Sequence, residues 1–194
     1  MSTPGAEPAV AEAAPNPEAA GRLADSLASR MIKVDHAGEF GAINIYRAQI
    51  AVSRLLARGH IGMLRDFLSH EERHHATFAD LLRERGLRRC RSWLLCGVGG
   101  YALGLTTALL GPNAVMVCTH AVEDVVNLHL AEQMHYMRER DPAAYAAVAS
   151  IVADETAHQQ LAGEQMNTRT WLARGIAAVV RLSTEAVIWV GMKL

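Results

Sequence analysis

The feature that most constrains this chain is a Glu-x-x-His pattern that occurs twice. The two copies are Glu71 with His74 and Glu155 with His158. Residues three apart on an α-helix share a face, so each pair can bind one metal ion. A single glutamate in an apolar, helical setting, Glu39 or Glu123, precedes each pair by 32 residues. Two such pairs and two single glutamates are the ligand set of a four-helix di-iron or di-manganese site, with chance spacing as the alternative.

The first copy can be read in two overlapping registers, because Glu72 and His75 repeat the spacing one residue later. Glu71 and His74 fall in line with an apolar stripe. The stripe consists of Leu64, Phe67, Phe78 and Leu81. The other pair shares a face with Arg65, and a cation buried beside metal ions would add repulsion to its desolvation cost. We therefore predict Glu71 and His74 as ligands, and Glu72 and His75 as surface residues or neighbours of the ligands.

The composition and periodicity predict an all-α chain. Hydrophobic residues make up 51% of the 194 residues and aromatic residues only 5%, which suits one helical domain with a sizeable core. We expect a disordered tail over residues 1–20, which are rich in Ala, Pro and Glu, and a single domain over 21–194. The predicted helices are Leu23 or Met31 to Ala57, Gly62 to Arg85 with Gly86 as C-cap, Asn113 to Arg140, Pro142 to Arg169, and Thr170 to Leu194.

Charge and cysteine content narrow the function classes. The net charge of −1 gives no electrostatic attraction to nucleic acid, so we expect no nucleic-acid partner. Cys90, Cys96 and Cys118 form no Cys-x-x-Cys motif. We predict that they are small core residues of a protein in a reducing compartment.

A charge-free stretch follows a basic patch in the middle of the chain. No Asp, Glu, Lys or Arg occurs from Ser92 to Val122, and the basic patch that precedes it consists of Arg83, Arg85, Arg88, Arg89 and Arg91. The apolar segment 92–111 leaves three alternatives: a spanning helix, a buried crossover, or a surface in the interfacial layer of an anionic membrane. Its glycines argue against one regular helix, so we favour a partly helical, membrane-interacting crossover. The glycines are Gly97, Gly99, Gly100 and Gly104.

Two further acidic residues bear on the predicted centre. Glu39 shares its helix face with apolar residues and so points at the core, although a salt bridge to Arg47 or Lys33 is the alternative. Asp154 lies one turn before His158 and is suited to hold a ligand imidazole in its metal-binding tautomer.

Four carboxylates and two imidazoles form a mixed oxygen and nitrogen site that suits iron or manganese. Hydroxylation, desaturation, ferroxidation and peroxide disproportionation all fit such a site, and the spacing leaves them open. Iron storage in a ferritin-like cage and a non-enzymatic helical membrane adaptor are the competing functions. A charge-free surface would be a liability for a soluble shell, whereas metal analysis would exclude the adaptor.

Several short motifs resemble those of the demethoxyubiquinone hydroxylase family. They are Asp35-His36-Ala37-Gly38-Glu39, Ile45-Tyr46, His74-x-x-Thr77-Phe78, Ala121-Val122-Glu123-Asp124 with His129 and Gln133, and Asp154-Glu155-x-x-His158. The apolar crossover resembles the family at Ala102-Leu103-Gly104 and at Thr107 to Gly111. The likeness covers the chain from about Met31 to the C-terminus.

The resemblance implies a ferritin-like four-helix bundle with a long apolar crossover, an additional C-terminal helix and two iron ions, ferrous in the resting reduced state. It implies hydroxylation of 2-polyprenyl-3-methyl-6-methoxy-1,4-benzoquinol at ring carbon 5 with dioxygen and a reductant. It further implies a peripheral protein, which we expect on the cytoplasmic face of a bacterial cell membrane. An accessory lipid-binding protein and a homo-oligomer are the partners that it adds.

Carried over by position, the resemblance assigns one set of metal ligands and one catalytic histidine. The ligands are Glu39, Glu71, His74, Glu123, Glu155 and His158. His129 matches a family histidine near the quinone pocket, and we expect it to be catalytic. Two positions depart from the family: Leu130 replaces a frequent Tyr, and His75 stands at a usual Leu.

Overall fold

Six α-helices make up nearly all of the part of the chain that the computed structural model describes, residues 26–56 and 58–194. They are α1 (Leu27–Leu56), α2 (Ile61–Glu84), α3 (Trp93–Leu109), α4 (Pro112–Met137), α5 (Pro142–Gln165) and α6 (Trp171–Lys193). A 3₁₀ turn, Arg58–His60, joins α1 to α2. The all-α prediction is confirmed, whereas the predicted tail over residues 1–20 lies outside the described residues.

Helices α1, α2, α4 and α5 form a bundle with two apolar clusters, and each cluster draws on all four helices. The first includes Ile32, Phe78, Leu130 and Ile151. The second includes Tyr46, Phe67, Met116 and Ala162. On every helix the predicted ligands fall between a residue of the first cluster and a residue of the second. The core therefore encloses a polar layer, and the arrangement is consistent with the ferritin-like bundle that the resemblance implies.

The ends of the helices follow local chemistry. Gly86 has φ of 62° and follows α2, where the amide of Leu87 donates to the carbonyl of Leu82 at 2.8 Å. This is a Schellman motif, which confirms the predicted glycine cap. Helix α5 was predicted to reach Arg169 but ends at Gln165. It ends early because the backbone of Asn167 is hydrogen-bonded to the side chain of Asn113. The amide of Asn167 donates to Oδ1 of Asn113, and the carbonyl of Asn167 accepts from Nδ2 of Asn113.

The expectation of a partly helical crossover was wrong, because α3 is one continuous helix of 17 residues. Its glycines serve close packing on α1 and do not break the helix. A Cβ atom added to Gly100 would overlap the carbonyl oxygen of Gly41, and one added to Gly104 would overlap that of Ile45. The absence of side chains at these positions lets the two helix backbones approach each other.

Helices α3 and α6 cover one side of the bundle and leave apolar side chains exposed on their outer faces. Examples are Leu94, Val98 and Leu109 on α3, and Trp171, Leu182 and Trp189 on α6. By length and composition alone, α6 is the one helix of the described residues that is able to cross a membrane. The spanning alternative for residues 92–111 falls on α3, which is shorter than α6.

Candidate metal centre

The structure brings all six predicted ligands together in the polar layer of the bundle. Each is at most 7% exposed. Their potential ligand atoms form two groups, and within each group the atoms lie within 4.8 Å of one another. The groups are Glu39, Glu71, His74 and Glu155, and Glu71, Glu123, Glu155 and His158. Glu71 and Glu155 belong to both groups, so these two carboxylates would be within reach of both ions if two were bound.

Each imidazole turns its Nδ1 atom toward the carboxylates. In His74 this atom lies 2.8 Å from Oε1 of Glu155 and 3.9 Å from Oε2 of Glu39. In His158 it lies 3.2 Å from Oε1 of Glu71 and 3.6 Å from Oε2 of Glu155. Both nitrogens are buried, and neither makes an aligned hydrogen bond. They are therefore free to serve as metal ligands.

The outer nitrogen of each imidazole contacts a different partner. Nε2 of His74 lies 3.0 Å from Oδ2 of Asp154, and Nε2 of His158 lies 3.1 Å from Nδ1 of His70. Asp154 thus holds an imidazole, as predicted, but it is the imidazole of His74 on the neighbouring helix. The contact with His70 was missed. A signal existed, because His70 precedes Glu71 as Asp154 precedes Glu155.

The pKa shifts of the carboxyl groups in the polar layer indicate that added positive charge would stabilise them. Burial, followed by repulsion from Glu71 and Glu155, holds the pKa of Glu39 well above its ordinary value. Burial and the same two neighbours also raise the pKa of Glu123. In the opposite direction, burial tends to raise the pKa of Glu155, but the neighbouring imidazoles of His158 and His74 lower it to about 2. Four carboxylates cannot all be ionised here without cations between them.

The donor set fits two divalent cations. Besides the two imidazole Nδ1 atoms, Oε1 of Glu71 and Oε1 of Glu155 are buried and have no hydrogen-bond partner. Unpartnered buried donors and acceptors are rare, and a bound ion is one of the recognised reasons for them. Carboxylate oxygens with imidazole nitrogens suit iron or manganese.

The overlapping pair on α2 faces away from the polar layer. The carboxylate of exposed Glu72 accepts a hydrogen bond from Arg47 at 2.8 Å. His75 stacks on His36 with ring centroids 4.2 Å apart. Arg47 is thereby engaged with Glu72, so the alternative salt bridge from Arg47 to Glu39 does not form. A different predicted ligand, Glu123, is also buried, and its carboxylate accepts a hydrogen bond from the hydroxyl of Tyr46 at 3.3 Å.

A cavity of about 500 Å³ reaches the centre from the side of α3 and α6. Its walls are mostly apolar, and its inner end is formed by the four carboxylate residues. Those four are Glu39, Glu71, Glu123 and Glu155. His74 and His158 do not line it, so the two imidazoles lie behind the carboxylates. The cavity therefore offers an apolar molecule a route to the face where metal ions would be accessible.

His129 lines this cavity but lies outside both ligand groups. Its Nε2 atom is 3.0 Å from Oε2 of Glu185 on α6, and its Nδ1 atom is 3.9 Å from Oε2 of Glu132. Its neighbour Leu130 is buried in the bundle core. His129 is thus placed to touch an occupant of the cavity, and its catalytic role stays a prediction.

A family model described as "Ubiquinone biosynthesis protein COQ7" matches residues 26–191 of the chain. The 3-demethoxyubiquinol 3-hydroxylase of Rhodospirillum rubrum is 32% identical over 171 residues, which cover 87% of this chain and 79% of the relative. The mitochondrial NADPH-dependent 3-demethoxyubiquinone 3-hydroxylase of Dictyostelium discoideum is 30% identical over 176 residues, covering 89% and 80%. The mitochondrial 5-demethoxyubiquinone hydroxylase of Saccharomyces cerevisiae is 37% identical over 115 residues, covering 58% and 49%.

Proposed function

The chain belongs to the ubiquinone biosynthesis protein COQ7 family, and from this we propose that it hydroxylates 2-polyprenyl-3-methyl-6-methoxy-1,4-benzoquinol at ring carbon 5, with dioxygen and a reductant. The observation that carries the proposal is the apolar cavity that ends on four carboxylates. A benzoquinol with a polyprenyl tail is an apolar molecule whose ring must reach a metal centre. A buried centre without such a cavity would have favoured chemistry on a small ion.

Two iron ions, ferrous in the resting enzyme, are the proposed cofactor, and when bound they supply the activation of dioxygen. The proposed ligands are Glu39, Glu71, His74, Glu123, Glu155 and His158, and Glu71 and Glu155 would be within reach of both ions. The two apolar clusters enclose the polar layer from both ends of the bundle. Electrostatic interactions are stronger in such apolar surroundings than in water.

The hydroxylation is tested by following the oxygen atom. Iron-loaded, reduced protein should transfer one labelled atom from ¹⁸O₂ into a demethoxybenzoquinol, as measured by mass spectrometry of the extracted product. The control is unlabelled dioxygen in ¹⁸O-labelled water. A product that carries label only from water would exclude monooxygenation.

Iron storage is the competing function of a helical carboxylate centre. It predicts rapid oxidation of many ferrous ions per chain and no affinity for quinones. The apolar cavity supports the hydroxylase, because mineral growth would require a polar path for ions. Counting the ferrous ions oxidised per chain, with and without a benzoquinol, separates the two functions.

We further propose that the protein is peripheral to a membrane, on the cytoplasmic face of a bacterial cell membrane. Support comes from the exposed apolar faces of α3 and α6 and from an adjoining cavity of about 620 Å³ lined by cations. The cations are Arg30, Lys33, Arg88, Arg89 and Arg91. Among the described residues, no Asp or Glu side chain forms an ion pair with them. Apolar surface next to unpaired cations suits the interface of an anionic membrane, and an accessory lipid-binding protein or a second copy of the chain would use the same faces.

A further inference from the structure

Two polar residues in the wall of the otherwise apolar cavity carry oxygen atoms without a partner. Asp35 on α1 and Gln133 on α4 both line the cavity. The amide Nε2 of Gln133 donates to Oδ1 of Asp35 at 2.8 Å. Oδ2 of Asp35 and Oε1 of Gln133 are buried and have no hydrogen-bond partner. The two side chains are thus hydrogen-bonded to each other, and one oxygen atom of each remains without a donor.

The chemistry of these acceptors is defined by the bond between the two residues. An ionised carboxylate only accepts, so the amide of Gln133 must turn its nitrogen toward Asp35, which leaves its oxygen as the free atom. A buried acceptor without a donor costs free energy, and the cost is removed when a ligand brings the donor. The pair therefore favours a ligand with hydroxyl or N–H groups over one that carries only acceptors.

The position of the pair places it next to the metal centre. Asp35 precedes Glu39 by four residues on α1, so the two side chains share a face and lie about one turn apart, about 6 Å along the helix. Both residues line the same cavity. A single aromatic ring in that cavity is able to meet Asp35 at one edge and the carboxylate end at the other.

We propose that Asp35 and Gln133 recognise a ring hydroxyl of the benzoquinol and so select the reduced form of the substrate. A quinol hydroxyl donates to a free acceptor, whereas a quinone carbonyl is itself an acceptor and gains no bond from either free oxygen atom. The inference rests on the proposed function, since it names the recognition of the same substrate. It adds the residues that distinguish quinol from quinone.

The binding test is best made where Asp35 is ionised. Burial raises the pKa of Asp35 to about 7, against the lowering effect of its hydrogen bond with Gln133. A protonated Asp35 would itself donate a hydrogen bond and would therefore also bind the carbonyl of a quinone. A buffer roughly 1.5 pH units above that pKa keeps the carboxylate predominantly ionised, since the ionised-to-neutral ratio changes tenfold per pH unit.

The probes are a demethoxybenzoquinol with a short isoprenoid tail and the corresponding quinone. Full-length protein is loaded with zinc, which has no redox chemistry and leaves both ring forms intact. Dissociation constants are measured by equilibrium dialysis under argon. We expect the quinol to bind at least tenfold more tightly than the quinone. Iron-loaded protein serves to check that the quinol affinity does not depend on the zinc.

Two variants assign the preference to the pair. Asp35→Asn replaces the free oxygen by an NH₂ donor of the same shape and should reduce the preference for the quinol at least fivefold. Gln133→Met keeps a similar length, removes the free acceptor, and should weaken quinol binding severalfold while leaving quinone binding unchanged. The matched control is Asp80→Asn, which makes the same chemical change at an exposed position on α2 that pairs with Arg83.

Each outcome decides between the proposals. Equal affinity of the unaltered protein for quinol and quinone overturns the selection, while the hydroxylase function stands. Full retention of the preference for the quinol in both variants also overturns the selection and leaves the hydroxylase function standing. If the unaltered protein binds neither ring form, the proposed function fails and the selection fails with it.

Discussion

The outer nitrogen atoms of the two imidazoles in the candidate centre contact different chemical groups. The outer nitrogen of His74 contacts a carboxylate, that of Asp154, and the outer nitrogen of His158 contacts a second imidazole, that of His70. Nδ1 of His70 lies in turn 3.6 Å from Oδ1 of Asp154. One aspartate therefore supports one imidazole directly and contacts the support of the other. Such outer partners fix the orientation of a metal-binding imidazole and increase its basicity.

We expect Asp154→Ala to weaken iron binding by about 10–100-fold, because loss of an outer partner typically has that effect. His70→Ala should weaken the binding of the ion held by His158 and affect the other ion less. Competition with a calibrated chelator measures both affinities. His135→Ala, an exposed histidine on α4, is the control and should leave both unchanged. Unaltered affinity in His70→Ala would mean that the contact with His158 has no supporting role.

A second prediction concerns the register of α2. Glu71→Ala or His74→Ala should remove at least one iron ion per chain and abolish turnover, because both side chains lie in the polar layer. Glu72→Ala and His75→Ala should keep the metal and much of the activity, since Glu72 pairs with Arg47 and His75 stacks on His36. Iron counts on the four purified variants decide between the registers. Loss of iron in Glu72→Ala alone would show that the assignment is wrong by one residue.

At the scale of elements, the seam between α3 and α1 depends on glycine. Gly100→Ala should destabilise the fold by about 1–3 kcal/mol, because the added Cβ would overlap the backbone of Gly41 and force the helices apart. Gly99→Ala is the matched control on the same helix, where a Cβ would meet nothing. It should stabilise the fold by up to about 1 kcal/mol through helix propensity. Urea unfolding of both variants gives the two values, and equal values would contradict the close approach.

Asp141 joins two bundle helices at their ends. Its Oδ1 atom accepts from the amide of Ala144 at 3.0 Å and caps α5, and its two oxygens accept bonds from Arg85 at 2.7 and 2.8 Å. Asp141→Ala removes the cap and leaves the half-buried guanidinium unpaired. We expect a loss of about 2–4 kcal/mol at neutral pH.

The contribution of Asp141 should also depend on pH. Burial tends to raise the pKa of Asp141, but hydrogen bonds from Arg85 and Ala144 hold it below the ordinary value. A carboxylate whose pKa is lowered on folding stabilises the folded state at pH values above its unfolded pKa of about 3.9. This stabilisation is lost as the pH falls through the pKa of the folded state. The difference in unfolding free energy between Asp141→Ala and the unaltered protein should therefore be constant near neutrality and shrink in acid. A difference that is independent of pH would contradict the pairing.

At the scale of the whole molecule, the bundle has one chemically distinct side. The exposed apolar faces of α3 and α6, the apolar cavity that reaches the candidate centre and the cation-lined cavity all involve these two helices or their flanks. Trp93 begins α3 beneath the guanidinium of Arg89, 4.1 Å from the ring centroid, so cation and apolar surface are in direct contact. In the proposed function, this side would give a polyprenyl tail a path from a membrane surface to the candidate metal centre.

We expect the protein to float with anionic vesicles and to be released by alkaline carbonate or by high salt with mild detergent, because interfacial binding combines modest apolar burial with screenable charge. Leu182→Glu on α6 and Leu94→Glu on α3 should each reduce flotation severalfold. Leu161→Glu, at an exposed leucine on α5, is the control. Retention in the membrane pellet after carbonate would favour a spanning α6.

Much of this protein is determined by local sequence. The helix faces that carry Glu39, Glu71, Glu123 and Glu155 follow from apolar residues at intervals of three and four, and the glycine cap at Gly86 follows from its tolerance of positive φ. These features depend on a few neighbouring residues and on the geometry of one helix. For that reason the helices and their polar faces were predictable from the residues, whereas the bundle and the grouping of its six polar residues were implied by the repeated Glu-x-x-His pattern and by the family resemblance.

Other features were decided by helices that meet in three dimensions. That Asp154 supports His74 and not its own neighbour His158 depends on how α5 packs beside α2. The continuity of α3 depends on its contact with α1. Glycine weakens an isolated helix, but its lack of a side chain allows a second helix to pack closely against it. The link between Asp35 and Gln133 joins residues 98 apart in the chain. Side chains so far apart in sequence carry no shared periodicity, so only the packing of the helices brings them into contact.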